Sequence, residues 1–267
     1  MRMDLARLQL PPFLRGSVWL VGAGPGDPGL LSALALHALE IADAIVYDAL
    51  VDRRIVALGR DEALRVYAGK RGGRPSSAQP DISATLVRLA REGRAVLRLK
   101  GGDPFIFGRG GEEALALVEA GIPFRVVPGV TAGIGGLAYA GIPATHRDYG
   151  SSVTFVTGHD SAGGVPAVDW GAIARGSPTI VLYMSLRHLE HIAARLIEAG
   201  RPLDEPTAII SKATTSDQRV WTTTLSQAAE VAVAAEIEAP TIIVIGAIAV
   251  LRDRLAWFSE RDLPANR

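Results

Sequence analysis

The chain has 267 residues, with 28 Lys+Arg balanced by 28 Asp+Glu, 48% hydrophobic residues and no Cys. Zero formal charge excludes a general nucleic-acid or other polyanion binder, because such affinity comes from a basic excess that neutralises phosphates, so anion binding here must come from a few placed Arg or Lys side chains. The absence of Cys excludes disulfides, thiolate metal sites, iron–sulfur clusters and a cysteine nucleophile, and the length suits one large domain or two modest ones.

Residues 1–16 hold one short apolar stretch, at 8–10, broken at once by Pro11 and Pro12, which is not the pattern of a secretory signal. Residues 18–21 (VWLV) predict a strand, followed by a Gly/Pro loop and a helix over 30–41. A second strand is expected at 44–47 (AIVY), then a helix over 82–92 capped by Asp81 and stopped by Gly93. A third strand at 95–99 (AVLRL), a helix over 112–120 stopped by Gly121, and a fourth strand at 124–127 (FRVV) complete the first set. These strands show almost no polar alternation, as strands covered by helices on both faces do, so the fold class is α/β.

Residues 126–145 form the longest run free of Asp, Glu, Lys, Arg and His, yet Pro128, Pro143 and five glycines would leave backbone groups unsatisfied in lipid. The run therefore reads as buried turns and small-residue packing; no membrane partner is expected, and the expected location is cytoplasmic. Past the Gly-rich stretch at 133–141, strands are predicted at 153–157, 179–183, 207–211 and 241–245, with helices over 186–199 and 226–236. The expected organisation is two α/β domains, 16–137 and 138–258, each a mostly parallel or mixed sheet flanked by helices.

Three loops stand out chemically. The first strand runs into Gly22-Ala23-Gly24-Pro25-Gly26-Asp27-Pro28-Gly29, where Gly24, Gly26 and Gly29 satisfy G-x-G-x-x-G and Asp48, ending the second strand, sits where a ribose acid would. That pattern suggests a nicotinamide-dependent oxidoreductase. Against it, Pro25 and Pro28 remove two of the N–H donors on which pyrophosphate binding depends. The third strand ends in Lys100-Gly101-Gly102-Asp103-Pro104 and the fourth in Pro128-Gly129-Val130-Thr131-Ala132-Gly133. Gly-rich loops at successive carboxyl ends of an open sheet predict a ligand crevice there. His188 and His191 share a helix without a ligand-rich neighbour, no HExxH motif occurs, and Gly69-Lys70 lacks the rest of a phosphate-binding loop, so no metal is expected.

The strings GAGPGDPGLL, YDALV, GKRGG, LRLKGGDPFIFGRGGEE, VPGVTAGIGGLAYAGIPATHR and TGHDS, in this order and spacing, resemble the uroporphyrinogen-III-methylating branch of the tetrapyrrole methylase superfamily over residues 17–258. The resemblance implies a homodimer of two-domain α/β subunits, with S-adenosyl-L-methionine bound in the cleft between domains and leaving as S-adenosyl-L-homocysteine. It implies two successive methylations of uroporphyrinogen III, at C-2 and C-7, through precorrin-1 to precorrin-2. Another precorrin methyltransferase of the superfamily is the alternative, and the long GGDPFIFGRGGEE string argues against it.

Carried over by position, the resemblance implies methyl-donor contacts at Pro25 in the first loop, at Gly101, Gly102, Asp103 and Ile106 in the second, and at Thr131 and Ala132 in the third, with Met184 and Ala213 added from the second domain. It implies Asp48 as proton acceptor and Lys70 as proton donor, and substrate contacts at Arg109, Glu112, Arg147, His159 and Met184. A polycarboxylate macrocycle suits guanidinium groups held in fixed geometry.

Overall fold

The computed structural model describes residues 5–69, 79–160 and 163–259, and the chain divides into two compact units, 1–131 and 132–267. The first unit is built on β1 (Val18–Gly22), β2 (Ala44–Tyr47), β3 (Leu64–Tyr67), β4 (Val96–Lys100) and β5 (Phe124–Val127). They pair in the order β3-β2-β4-β1-β5, and every pairing is parallel. Parallel neighbours need crossover connections, and α1 (Ala33–Ile41), α2 (Arg53–Ala57), α3 (Gln79–Arg91) and α4 (Gly110–Glu119) supply them.

Alternation along each strand sends side chains into two cores. Trp19, Val21, Ile45, Leu97 and Leu99 pack with Leu39 of α1 and Ile55 of α2, whereas Val18, Leu20, Val46 and Val96 pack with Leu86 of α3 and Leu117 of α4. Coverage on both faces explains the near absence of polar alternation. Within the central strand β4 the exceptions, Arg98 and Lys100, share the face that carries Val96.

The helix expected over 30–41 is two pieces. Asp27 caps a 3-10 turn, Pro28–Leu30, accepting from Gly29 N at 2.7 Å, and the Ser32 hydroxyl then caps α1 by accepting from Ala35 N at 3.2 Å. Helix α3 starts at Gln79, so Asp81 lies in its first turn instead of capping it.

The second unit holds α5 (Ala132–Tyr139), β6 (Val153–Thr157), α6 (Trp170–Gly176), β7 (Thr179–Tyr183), α7 (Leu189–Glu198), β8 (Pro206–Ser211), β9 (Arg219–Thr224), α8 (Ala228–Ala234), β10 (Thr241–Ile245) and α9 (Arg252–Leu255). Its sheet runs β6-β7-β10-β8-β9; β6 and β7 are parallel and the remaining pairs antiparallel. Helices α6, α7 and α8 cover one face through Trp170, Ile192 and Ala228, and Leu137 of α5 with Ile248 covers the other. Both units are therefore α/β layers, parallel in the first and mixed in the second.

The short helices α2, α6 and α9, the strands β3 and β9, and helix α5 were not expected from hydrophobic pattern. Strands β3 (LRVY) and β9 (RVWTTT) are sheet edges, where partial exposure tolerates the charges and hydroxyls that dilute an apolar run. Helix α5 (AGIGGLAY) forms despite three glycines because close packing outweighs propensity: Gly133 N donates to Tyr183 Oη at 2.7 Å, and a Cβ on Gly136 would lie 2.9 Å from the Ala213 Cβ. Residues 126–145 thus end β5 and form α5, and among the described residues no helix is long and apolar enough to cross a membrane.

Asp43, just before β2, ties three strands. Its Oδ2 accepts from Ala95 N at 2.9 Å, its Oδ1 from Arg60 Nη2 at 2.5 Å, and its carbonyl accepts from Leu64 N at 3.0 Å. The Ala95 N–H foremost, then the charges of Arg15 and Arg60, hold this carboxyl below its ordinary range against the opposing effect of burial. A depressed folded value means that the unfolded chain binds the proton first, so the stabilisation is complete above the ordinary value of 3.8 and is lost as pH falls through the lower folded value. Asp43→Ala should destabilise the protein by about 1–3 kcal/mol at neutral pH. Urea titrations at successive pH values should show that deficit shrinking below the ordinary carboxylate range.

Candidate active site

All strands of a parallel sheet end on the same edge, and the three Gly-rich loops leave that edge from the adjacent strands β4, β1 and β5. Their backbones touch. Gly24 N donates to Gly102 O at 3.2 Å and Gly102 N donates to Gly24 O at 2.7 Å. Gly22 and Gly129 cross so closely that a Cβ on Gly22 would lie 2.5 Å from Gly129 Cα and 2.6 Å from Gly102 O. Asp103 closes the junction, its Oδ2 accepting from Gly129 N at 2.9 Å and its Oδ1 from Phe105 N at 2.8 Å.

Pro25, Gly101, Gly102 and Asp103 are thereby gathered on one backbone-lined edge. Asp103 acts first as a loop tie, although each of its oxygens keeps a second lone pair. Ile106 is exposed in the loop beyond it, and Thr131 is buried where the β5 loop ends.

Asp48 follows β2 on the same edge, and it is anchored from behind. Its Oδ2 accepts from Arg98 Nη2 at 3.0 Å and lies 3.8 Å from Lys100 Nζ, while its Oδ1 is buried with no hydrogen-bond partner among the described residues. Glu113 Oε1 accepts from Arg98 Nε and from Lys100 Nζ, each at 3.1 Å. The side chains of Arg98, Lys100 and Glu113 are 2%, 4% and 0% exposed, against 29% for Asp48. Burial foremost, with the charge of Arg98, pushes the Lys100 ammonium down, and Glu113 and Asp48 pull the other way. Sequence reasoning assigned Asp48 and passed over the other three. The signal was in VLRLK: cations at alternate positions of an apolar strand share one face, and a buried anion must meet them there. Lys70, with Arg71 and Arg74, lies outside the described residues.

Arg109 opens α4 in a left-handed conformation, φ 58°, and forks onto Glu112, with Nε to Oε1 at 2.9 Å and Nη2 to Oε2 at 2.6 Å. Both are well exposed. The fork holds the Glu112 carboxyl below its usual range.

In the second unit β6, β7 and β8 run in the same direction, since β6 and β7 are parallel and β7 and β8 are each antiparallel to β10. His159, Met184 and Ala213 follow their carboxyl ends. Ala132 opens α5, whose first turn is tied to the end of β7 by Gly133 and Tyr183 and whose middle meets Ala213 at Gly136. Arg147 stands apart: it is exposed in a turn closed by His146 and Gly150, and Gly150 lies against Pro178 at the amino ends of β6 and β7. His188 Nε2 lies 3.0 Å from Gly163 O and His191 Nε2 accepts from Arg195, so these two histidines turn to different partners.

Backbone strain concentrates in the same loops. Of seven described non-glycine residues with positive φ, five are Phe107, Arg109, Met184, Lys212 and Thr214. Left-handed backbone of this kind costs about 1–3 kcal/mol per residue and persists where a binding loop needs it.

These features define a class: an α/β protein whose ligand edge is made of glycine-rich backbone with few charges. The chain belongs to the tetrapyrrole (corrin/porphyrin) methylase family, whose model matches residues 17–229. A uroporphyrinogen-III C-methyltransferase from Sinorhizobium sp. is 58% identical over 254 residues, covering 95% of this chain and 91% of that protein. A siroheme synthase from Methylococcus capsulatus is 51% identical across 96% of this chain and 54% of its own length, so the chain spans about half of that longer relative. The crystal structure of a uroporphyrin-III C-methyltransferase from Thermus thermophilus, complexed with S-adenosyl homocysteine, is similar with TM-score 0.77 at 40% identity, covering 88% of this chain and 99% of that one.

The glycine crossing predicts a contrast between two alanine substitutions. Gly129→Ala drives a Cβ into the Gly102 carbonyl and the Gly22 backbone, and should cost about 1–3 kcal/mol as overpacking. Gly111→Ala, within α4 with open space around its Cβ, should stabilise by about 0.5–1 kcal/mol. Thermal unfolding of the two variants checks both signs.

Proposed function

We propose that the chain is an S-adenosylmethionine-dependent C-methyltransferase that acts on uroporphyrinogen III, methylating it at C-2 and C-7 to give precorrin-2. The observation that supports this most is the match along nearly the whole length of the Sinorhizobium relative. The composition of the edge fits the donor. Residues 22–31, 101–108 and 128–133 contain no Lys or Arg, which suits a nucleoside without phosphates whose adenine, ribose and amino acid are met by backbone groups and one carboxylate. When bound, S-adenosylmethionine supplies an electrophilic sulfonium methyl.

Pro25, Gly101, Gly102, Asp103, Ile106 and Thr131 are the proposed donor contacts of the first unit, and Ala132, Met184 and Ala213 those of the second. Asp48 accepts the proton that the ring loses after methylation, and Lys70, by its place in the motif, returns one. Arg109 takes a substrate carboxylate by exchanging it for Glu112; an exposed pair of this kind is worth only about 0–1 kcal/mol, so the exchange is easy. Glu112, His159 and Met184 are further proposed substrate contacts, and Arg147, whose turn lies at the amino ends of β6 and β7, is proposed by its place in the motif alone. The working form is proposed to be a homodimer.

The nicotinamide alternative meets a specific obstacle. The turn after β1 spends Gly29 N on the Asp27 carboxylate, which places a negative charge where a pyrophosphate would sit. Calorimetric or thermal-shift titration should therefore show stabilisation by S-adenosyl homocysteine and none by NAD; a ligand at a hundred times its Kd adds about 2.7 kcal/mol. Stabilisation by NAD alone would sink the proposal.

Incubation with labelled S-adenosylmethionine and uroporphyrinogen III should transfer two methyl groups per macrocycle. Asp48→Asn should lower kcat by about 10²–10⁴-fold with donor affinity intact. Turnover of Asp48→Asn at the parent rate would remove Asp48 as the base.

A further inference from the structure

We infer that Arg98 is a positioning residue for the reaction, a fixed guanidinium that holds the Asp48 carboxylate in one orientation; this rests on the reading of Asp48 as proton acceptor. The side chain engages all three of its nitrogens. Nε donates to Glu113 Oε1 at 3.1 Å, Nη1 reaches Val46 O and Leu99 O at 3.4 Å, and Nη2 donates to Asp48 Oδ2 at 3.0 Å. Val46 belongs to β2, two residues before Asp48, so a single planar group grips both the strand and the carboxylate that follows it.

Stability alone does not account for this arrangement. The face around Arg98 carries Val18, Leu20, Val46 and Leu117, and replacing a buried ion cluster in such a setting by apolar side chains is often neutral or stabilising. Charge counting shows where the cluster leads. Among the described residues, Arg98 and Lys100 are two buried cations, Glu113 is one buried anion, and the second anion is Asp48, the member of these four with appreciable exposure. The cluster therefore terminates at the candidate site.

The chemical consequence lies in the two oxygens. With Oδ2 committed to Arg98, the carboxylate plane is set, and Oδ1 is fixed with it, buried and with no partner among the described residues. A general base must present its lone pair within hydrogen-bond reach of the proton, and a carboxylate free to rotate does so only part of the time. Lys100 cannot substitute for the fork. Its ammonium is a point charge already 3.1 Å from Glu113, and it stands 3.8 Å from Asp48.

Four proteins test the inference: the parent, Asp48→Asn, Arg98→Lys and the double variant, each measured for kcat, for KM toward uroporphyrinogen III, for S-adenosyl homocysteine affinity and for thermal midpoint. Arg98→Lys keeps the charge but cannot span Glu113 and Asp48. Its kcat should fall by about 10²-fold, the scale of a displaced catalytic group, with KM and cofactor affinity unchanged. In the Asp48→Asn background the same substitution should produce no further fall, because the two residues act as one unit. A parent-level kcat for Arg98→Lys beside a slow Asp48→Asn, or losses that simply multiply, would overturn the positioning role and leave the proton-acceptor reading standing. Asp48→Asn at the parent rate would overturn that reading and the positioning role with it. If Arg98→Lys fails to fold, Arg98→Met combined with Glu113→Gln removes one buried charge of each sign. The same fall in kcat is expected, and a parent-level kcat overturns the role.

Discussion

Backbone meeting backbone without a side chain between them is the constraint on which the carboxyl edge of the first unit depends. Gly22 and Gly129 cross each other and the Gly102 carbonyl at distances that no Cβ on either permits, and the Gly24–Gly102 bridge locks the crossing. The parallel sheet makes this possible because β4, β1 and β5 are neighbours and end together. Strand β4 serves two purposes at once. Gly102 in the crossing lies two residues beyond Lys100 and four beyond Arg98, so the contact that seats the loops also fixes the cations behind Asp48.

The balanced charge of the chain conceals two kinds of ion pair with opposite properties. Arg109 and Glu112 sit in water, where their pairing is weak and a competing carboxylate can take the place of Glu112 at little cost. Arg98, Lys100 and Glu113 are out of water, and removing one partner strands a buried charge, typically at several kcal/mol. The first kind suits recognition of a flexible polycarboxylate. The second suits a group that must stay where it is while a proton moves.

Much of the fold was legible because the buried strands are short runs dominated by Val, Ile and Leu with little polar alternation, a pattern expected of strands covered on both faces. What escaped was decided by tertiary context. Helix α5 is stabilised by the approach of Gly133 and Gly136 to Tyr183 and Ala213, contacts that no local propensity encodes. Strands β3 and β9 gain their partners only at the sheet edges. In the site, the loops announced themselves through glycine, whereas the cations behind Asp48 were passed over because their buried partner, Glu113, lies in another element, α4. Arg147 shows the reverse case: a motif places it in the sequence, yet its turn lies at the amino ends of β6 and β7, away from His159, Met184 and Ala213.

The G-x-G-x-x-G string after β1 separates two properties that are easily confused. Glycines determine how near a ligand can come to the backbone; the charge of that ligand is determined by which N–H groups remain unspent. Here Pro25 and Pro28 offer none, and Gly29 N is taken by Asp27 at 2.7 Å. A phosphate at this turn would face a carboxylate and too few donors, whereas a cationic sulfonium nucleoside encounters no such repulsion. The same spacing of glycines that serves a dinucleotide elsewhere is thus converted, by two prolines and one aspartate, into an edge suited to a ligand of the opposite charge.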